Sequence, residues 1–144
     1  MSNLKGGDIF GMTKTERILW NYRKNVKKMT ETRAMLSSLM SVRGANYEAH
    51  TDGGVSEPVF EVVSRILKAE KRLAGLERQV QAVEELALSL VVEELDTHQM
   101  GQILKHRYIL HMEPEAVMRK VGMTKPTYYR RSRELLKRAE EYVV

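Results

Sequence analysis

The chain has 144 residues, 42% of them apolar and 30% charged, and a formal net charge of +5 at neutral pH. That is enough apolar material for one ordinary domain or two small helical units, and too much for a disordered chain. Cysteine is absent, which excludes disulfides, thiolate metal sites and a thiol nucleophile, and no run of eighteen apolar residues offers a membrane-spanning helix.

The opening stretch, MSNLKGGDIFGMTKTE, lacks the apolar core of a secretory leader, so a flexible start over residues 1–12 and a cytoplasmic location are expected. Charge is distributed unevenly along the rest. Residues 14–43 hold eight cations and two anions, residues 57–96 five cations and nine anions, and residues 117–138 eight cations and one anion, Glu134. The order is basic, acidic, strongly basic, and the last block is the natural place to look for a polyanionic partner.

Helical spacing dominates the chain, with few alternating β-branched residues. Thr13 with Glu16 has the spacing of a capping box and starts the first helix. Its apolar positions are Leu19, Tyr22, Val26, Met29, Leu36 and Met40, and it is expected to stop before Gly44. Trp20, with Tyr22 nearby, is expected to anchor it against its partner. Residues 42–55 contain Gly44, Asn46, Asp52, Gly53 and Gly54 and read as a loop. Ser56 is placed to cap the second helix, with Pro58 tolerated in the first turn. There Val59, Val62, Ile66, Ala69, Leu73, Leu76, Val80, Val83, Ala87 and Leu90 step by three and four, the pattern of a coiled-coil seam. Such a helix runs on the order of 50 Å and needs a partner. That partner is the first helix folded back as a hairpin, the same helix of another chain, or both at once. Ile66, Leu73, Leu76, Val80, Val83 and Leu90 are the candidate oligomerisation residues, with a homodimer favoured. The helical and coiled-coil region is thus expected over 13–95.

Asp96 with Gln99 repeats the capping-box spacing, so another helix is expected from about Thr97, carrying Met100, Ile103, Leu104 and Tyr108. Pro114 opens a short helix with Val117, Met118 and Val121. Gly122 is placed to end it in the left-handed conformation. Thr124 caps the last helix, with Pro126 in its first turn and Tyr128, Leu135, Leu136, Ala139 and the small Ser132 facing inward. A short helix, a turn on Gly122-Met123-Thr124 and a longer basic helix form the helix-turn-helix pattern. The expected fold is therefore all-α: a long helical hairpin or coiled coil followed by a three-helix helix-turn-helix domain over 96–144.

This spacing leaves Lys125, Thr127, Tyr129, Arg130, Arg131 and Arg133 on or near the outer face of the last helix. Arginine can fork onto guanine or clamp a phosphate. Arg119, Lys120 and Lys137 are suited to the DNA backbone, and Thr124 starts a helix whose amide dipoles point toward a phosphate. Double-stranded DNA is the expected partner.

Other signals carry less. His98 and His106 lie two helical turns apart, too far to share one ion, and His111 and His50 have no evident ligand partners, so no metal is expected. Glu84-Glu85 and Glu93-Glu94 are adjacent pairs that diverge on a helix rather than converge on a substrate. The Gly53-Gly54 pair lacks the following Lys-Ser or Lys-Thr of a phosphate loop. No nucleophile, base and stabiliser can be assembled, so neither an enzyme nor a cofactor is expected.

The stretches LKHRYI, VGMT and TYYRRSRELLKRAEEY, anchored on Arg107, Tyr108, Gly122, Thr124, Thr127, Tyr128, Tyr129 and Arg130, resemble the C-terminal part of phage late-gene transcription regulators of the RinA and ArpU type. Those are themselves similar to the promoter-reading domain that closes bacterial sigma factors. WNYRKNVKKM, the connection NYEAH…GGVSEPV and the heptad helix match the same layout. Met118 stands where a small Ala is usual, and Thr124 where Ser is usual. The resemblance implies a DNA-binding activator of late genes (packaging, morphogenesis, lysis) of a phage or prophage, in the cytoplasm of a Gram-positive host. Two other readings stay open: a DNA-packaging protein like the small terminase subunits, and a sigma-like protein whose main partner is RNA polymerase.

Overall fold

The computed structural model describes residues 11–49, 57–91 and 94–143, and among them every regular element is helical. The order is α1 (Lys14–Trp20), α2 (Tyr22–Ala49), α3 (Glu57–Ser89), α4 (Leu95–Ile103), a π-helical turn (Leu104–Ile109), α5 (Pro114–Val121) and α6 (Lys125–Ala139). No described helix is long and apolar enough to cross a membrane. The chain divides into two compact units, one of residues up to 24 together with 79–144, the other of residues 25–78. The sequence-based expectation of a helix-turn-helix domain over 96–144 therefore falls inside a larger unit that also recruits α1 and the end of α3.

The capping box at the first helix is formed. Thr13 Oγ1 accepts from the Glu16 amide at 3.2 Å, and Glu16 Oε1 accepts from the Thr13 amide at 3.3 Å. The helix nevertheless breaks at Asn21, whose amide is shared between the carbonyls of Arg17 and Leu19. Asparagine lowers the cost of such an interruption, because it competes poorly for the helical interior. α2 then continues past Gly44 to Ala49, beyond the stop expected before that glycine. One glycine costs only about 1 kcal/mol in a helix, and Ala45, Glu48 and Ala49 around it are helix formers. The rest of the expected loop (50–55), the Ser56 cap and the flexible start up to residue 10 lie outside the described residues; Met12, expected to be flexible, is buried.

In the second unit, α2 and α3 lie antiparallel. Arg33 pairs with Glu77 at 2.8 Å, while Lys28, Glu31, Thr32 and Met35 share a recess with Arg72. Val62, Ile66 and Ala69 are buried there within a single chain, and Thr32 of α2 is buried as well. Of the two partners open to the seam, the hairpin is the one that covers these residues. Leu73 and Leu76 are half-buried.

In the first unit the seam rotates. Val80, Val83 and Leu90 are buried as expected, but Leu86 takes the fully buried place and Ala87 is exposed. Leu86 joins a core shared by α1 (Ile18, Leu19, Trp20), α4 (Met100, Ile103), Leu104 and Tyr108 of the π-turn, Val117 of α5, Met123 of the turn and Tyr128, Leu135 and Ala139 of α6. Burying each large apolar side chain of this set is worth roughly 1.5–3 kcal/mol.

Candidate nucleic-acid interface

The turn between α5 and α6 forms as the residue types dictate. Gly122 adopts φ 78° and ψ 39°, a left-handed cap that closes α5, and its amide donates to the Met118 carbonyl at 2.8 Å. Met123 then points into the core with 7% of its surface exposed. Thr124 Oγ1 accepts from the Thr127 amide at 3.4 Å and donates to Thr127 Oγ1 at 3.0 Å. The Thr124 hydroxyl is thus spent on starting α6, while the Thr127 hydroxyl keeps its own proton for an outside acceptor.

Along α6 the inner stripe is Tyr128, Arg131, Leu135 and Ala139, at steps of three, four and four. This corrects the expectation that Arg131 belongs to the outer face. It is 9% exposed, and each of its three guanidinium nitrogens donates to an acceptor. Nε donates to Gln99 Oε1 at 2.8 Å, Nη1 to Glu134 Oε1 at 2.7 Å and Nη2 to Asp96 Oδ1 at 2.6 Å. The bond to Glu134 and the charge of Asp96 raise its pKa against the opposing effect of burial, so it stays a cation. The same contacts overturn the capping box read at Asp96 and Gln99. The helix starts at Leu95 behind Glu94, which makes no side-chain cap bond, because both side chains are turned onto Arg131. A rigid fork with five donors satisfies three acceptors from two helices at once, which no apolar side chain in the stripe could do.

The outer face of α6 is a different environment. Lys125, Tyr129, Arg130, Arg133 and Lys137 are exposed. Lys125, Arg130, Arg133 and Lys137 form no ion pair with any described residue, the three recorded bridges being Arg33–Glu77 and the two of Arg131. Tyr129 is steadied by an edge-on contact with the buried Tyr128, ring centroids 5.0 Å apart at 88°. Burial raises the Tyr128 pKa, so its ring stays neutral and fixed. Arg119 and Lys120 occupy the exposed last turn of α5, where cations also suit the helix dipole.

Behind this face sits a brace that the sequence did not reveal. The π-turn bonds Leu110 to the Lys105 carbonyl, five residues back, at 2.9 Å. His111 follows at φ 59°, a region that His enters more readily than most residues. Its ring stacks on Trp20 at 3.7 Å and 6°, and its Nε2 lies 2.8 Å from the Trp20 carbonyl oxygen. The Arg107 guanidinium lies 4.9 Å from the Trp20 ring centre and donates to the Met112 carbonyl at 3.0 Å. The Tyr108 hydroxyl donates to Glu16 Oε2 at 3.1 Å, and burial together with the Glu16 charge raises its pKa far above the usual phenol range. Trp20 does anchor the first helix, as expected, but on the π-turn and His111. His106 is buried beside Gln102, its Nε2 3.0 Å from Oε1. Desolvation, then Lys105 and Lys120, lower its pKa. His98 is exposed.

The class defined by these observations is an all-α protein with a braced helix–turn–helix arrangement. Compared with protein-family models, curated proteins and solved structures, the chain matches none.

Proposed function

We propose that this chain is a sequence-specific binder of duplex DNA that regulates transcription, with α6 as its reading helix. One observation carries the reading. The inward arginine of α6 is neutralised by the carboxylates of Asp96 and Glu134 and bonded by the Gln99 amide, whereas the outward cations Lys125, Arg130, Arg133 and Lys137 form no ion pair with any described residue. A row of like charge on a rigid rod is repulsive in isolation and is relieved by a polyanion. Arg130 and Arg133, with Tyr129 just before them in sequence, supply forked donors and an aromatic surface suited to base edges. Lys125, Thr127, Arg119, Lys120 and Lys137 supply phosphate contacts. The resemblance to phage late-gene regulators narrows the role to activation of late genes in a phage or prophage.

Selection of duplexes from a random pool, followed by anisotropy titrations, tests this. Arg130→Ala is expected to weaken the selected site on the order of 10- to 100-fold and to relax discrimination at one base position. Lys137→Ala should weaken all sequences alike and reduce the salt slope by about one. Absence of binding to any duplex at low salt refutes the reading.

A further inference from the structure

The first unit has a groove of about 660 Å³ on a side built by different residues from the α6 face. One wall is the end of α3, with Val83, Ala87 and Leu90. The other is Gly101 of α4 with Leu104 and Ile109 of the π-turn. Val91, two residues past the end of α3, stands at the rim 76% exposed, and Leu88 in the last turn of α3, whose carbonyl accepts from the Val91 amide at 3.2 Å, is 72% exposed. Apolar side chains that large and that bare, beside an apolar groove, mark a contact surface. Of the seam residues expected to join two chains, Ile66 and Val80 are buried inside one chain and lie outside the groove, while Val83 and Leu90 form the floor of its α3 wall.

The charges say what covers the groove. The α3 wall carries the exposed carboxylate of Glu84, held by the Tyr22 hydroxyl at 2.8 Å. The opposite wall carries Lys105 and His98, both exposed. A ligand of a single sign meets repulsion from one wall. A second copy related by a two-fold axis does not. Its acidic wall meets the basic wall here, and its basic wall meets Glu84, with the Leu88–Val91 ridge of each copy lying in the groove of the other. An isologous contact requires this self-complementarity of ridge with groove and of acid with base.

We propose that this groove is the homodimer interface of the protein. The inference goes beyond DNA reading and does not depend on it. The tests are made by sedimentation without DNA, so failure of one proposal is separable from failure of the other. The chain at about 100 µM, where even a micromolar dimer is nearly complete, is expected at twice the 16.6 kDa of one chain. Val91→Glu should be monomeric with unchanged helicity. Lys105→Glu and Glu84→Lys should each lose dimerisation at least tenfold, because each places like charges together twice. An equimolar mixture of the two pairs opposite charges at both contacts and should recover the dimer. A monomeric wild-type chain at about 100 µM, a dimeric Val91→Glu, or two folded charge variants that fail to rescue each other would each overturn the proposal.

Discussion

Replacing Trp20 by Ala is the sharpest test of the brace behind α6. Trp20 is 6% exposed in the core of the first unit. Truncating a buried aromatic of this size costs about 3–5 kcal/mol through lost transfer energy and the cavity left behind. Its ring also stacks on His111 at 3.7 Å, worth about 0.5–1.5 kcal/mol beyond burial. Arg107 lies 4.9 Å from the ring centre, and a half-buried cation there adds about 0.5–1 kcal/mol. These terms overlap, so the expected loss is about 4–6 kcal/mol, against a total of about 5–15 kcal/mol for a typical domain. The variant should sit near the edge of unfolding. Guanidinium titration followed by far-ultraviolet circular dichroism measures this, with Trp20→Phe expected to fall between the two. DNA binding should fall with the unfolded fraction and return in a stabilising osmolyte. A loss below about 1 kcal/mol would refute the reasoning, because it would mean that α1 leans on the helix–turn–helix without being a wall of it.

Arg131→Ala should lower the melting temperature and leave the salt slope of DNA binding unchanged, since its guanidinium faces Asp96, Gln99 and Glu134; Arg133→Ala should do the reverse, and an exchange of those outcomes would return Arg131 to the outer face. Folded-state His106 has a pKa below 6.5, so below that pH the unfolded chain binds the extra proton first. Stability should be flat above pH 6.5 and fall as the pH drops toward the folded-state value, as denaturant midpoints will show, and His106→Leu should flatten the profile. Gly122→Ala should cost about 1–2 kcal/mol, because the left-handed backbone crowds any Cβ, and thermal unfolding should find Gly122→Asn milder.

The turn at Gly122, Met123 and Thr124 was legible from sequence because its signals are local: a left-handed glycine, a side chain for the plug and a hydroxyl at a helix start. The same holds for the Thr13–Glu16 box. The inner and outer faces of α6 were nearly legible. Tyr128, Leu135 and Ala139 define a stripe whose missing step falls at 131 or 132, and the small Ser132 was the residue expected there. Arg131 was placed outside instead, because a buried arginine is costly unless its charge is met, and Asp96 and Gln99 lie more than thirty residues away in sequence. Local spacing instead cast that pair as a helix cap.

The sequence by itself determined the all-α class, the hydrophobic seam of α3 and the concentration of cations on the last helix, because helical period and charge are properties of neighbouring residues. Only the tertiary structure decided which arginine turns inward, that the seam closes within one chain and that α1 is bolted to the π-turn through Trp20, His111 and Tyr108. Those outcomes rest on partners distant in sequence, such as Tyr108 and Glu16. No local pattern encodes them, since each is selected only when the whole core is packed and every buried polar group must find its match.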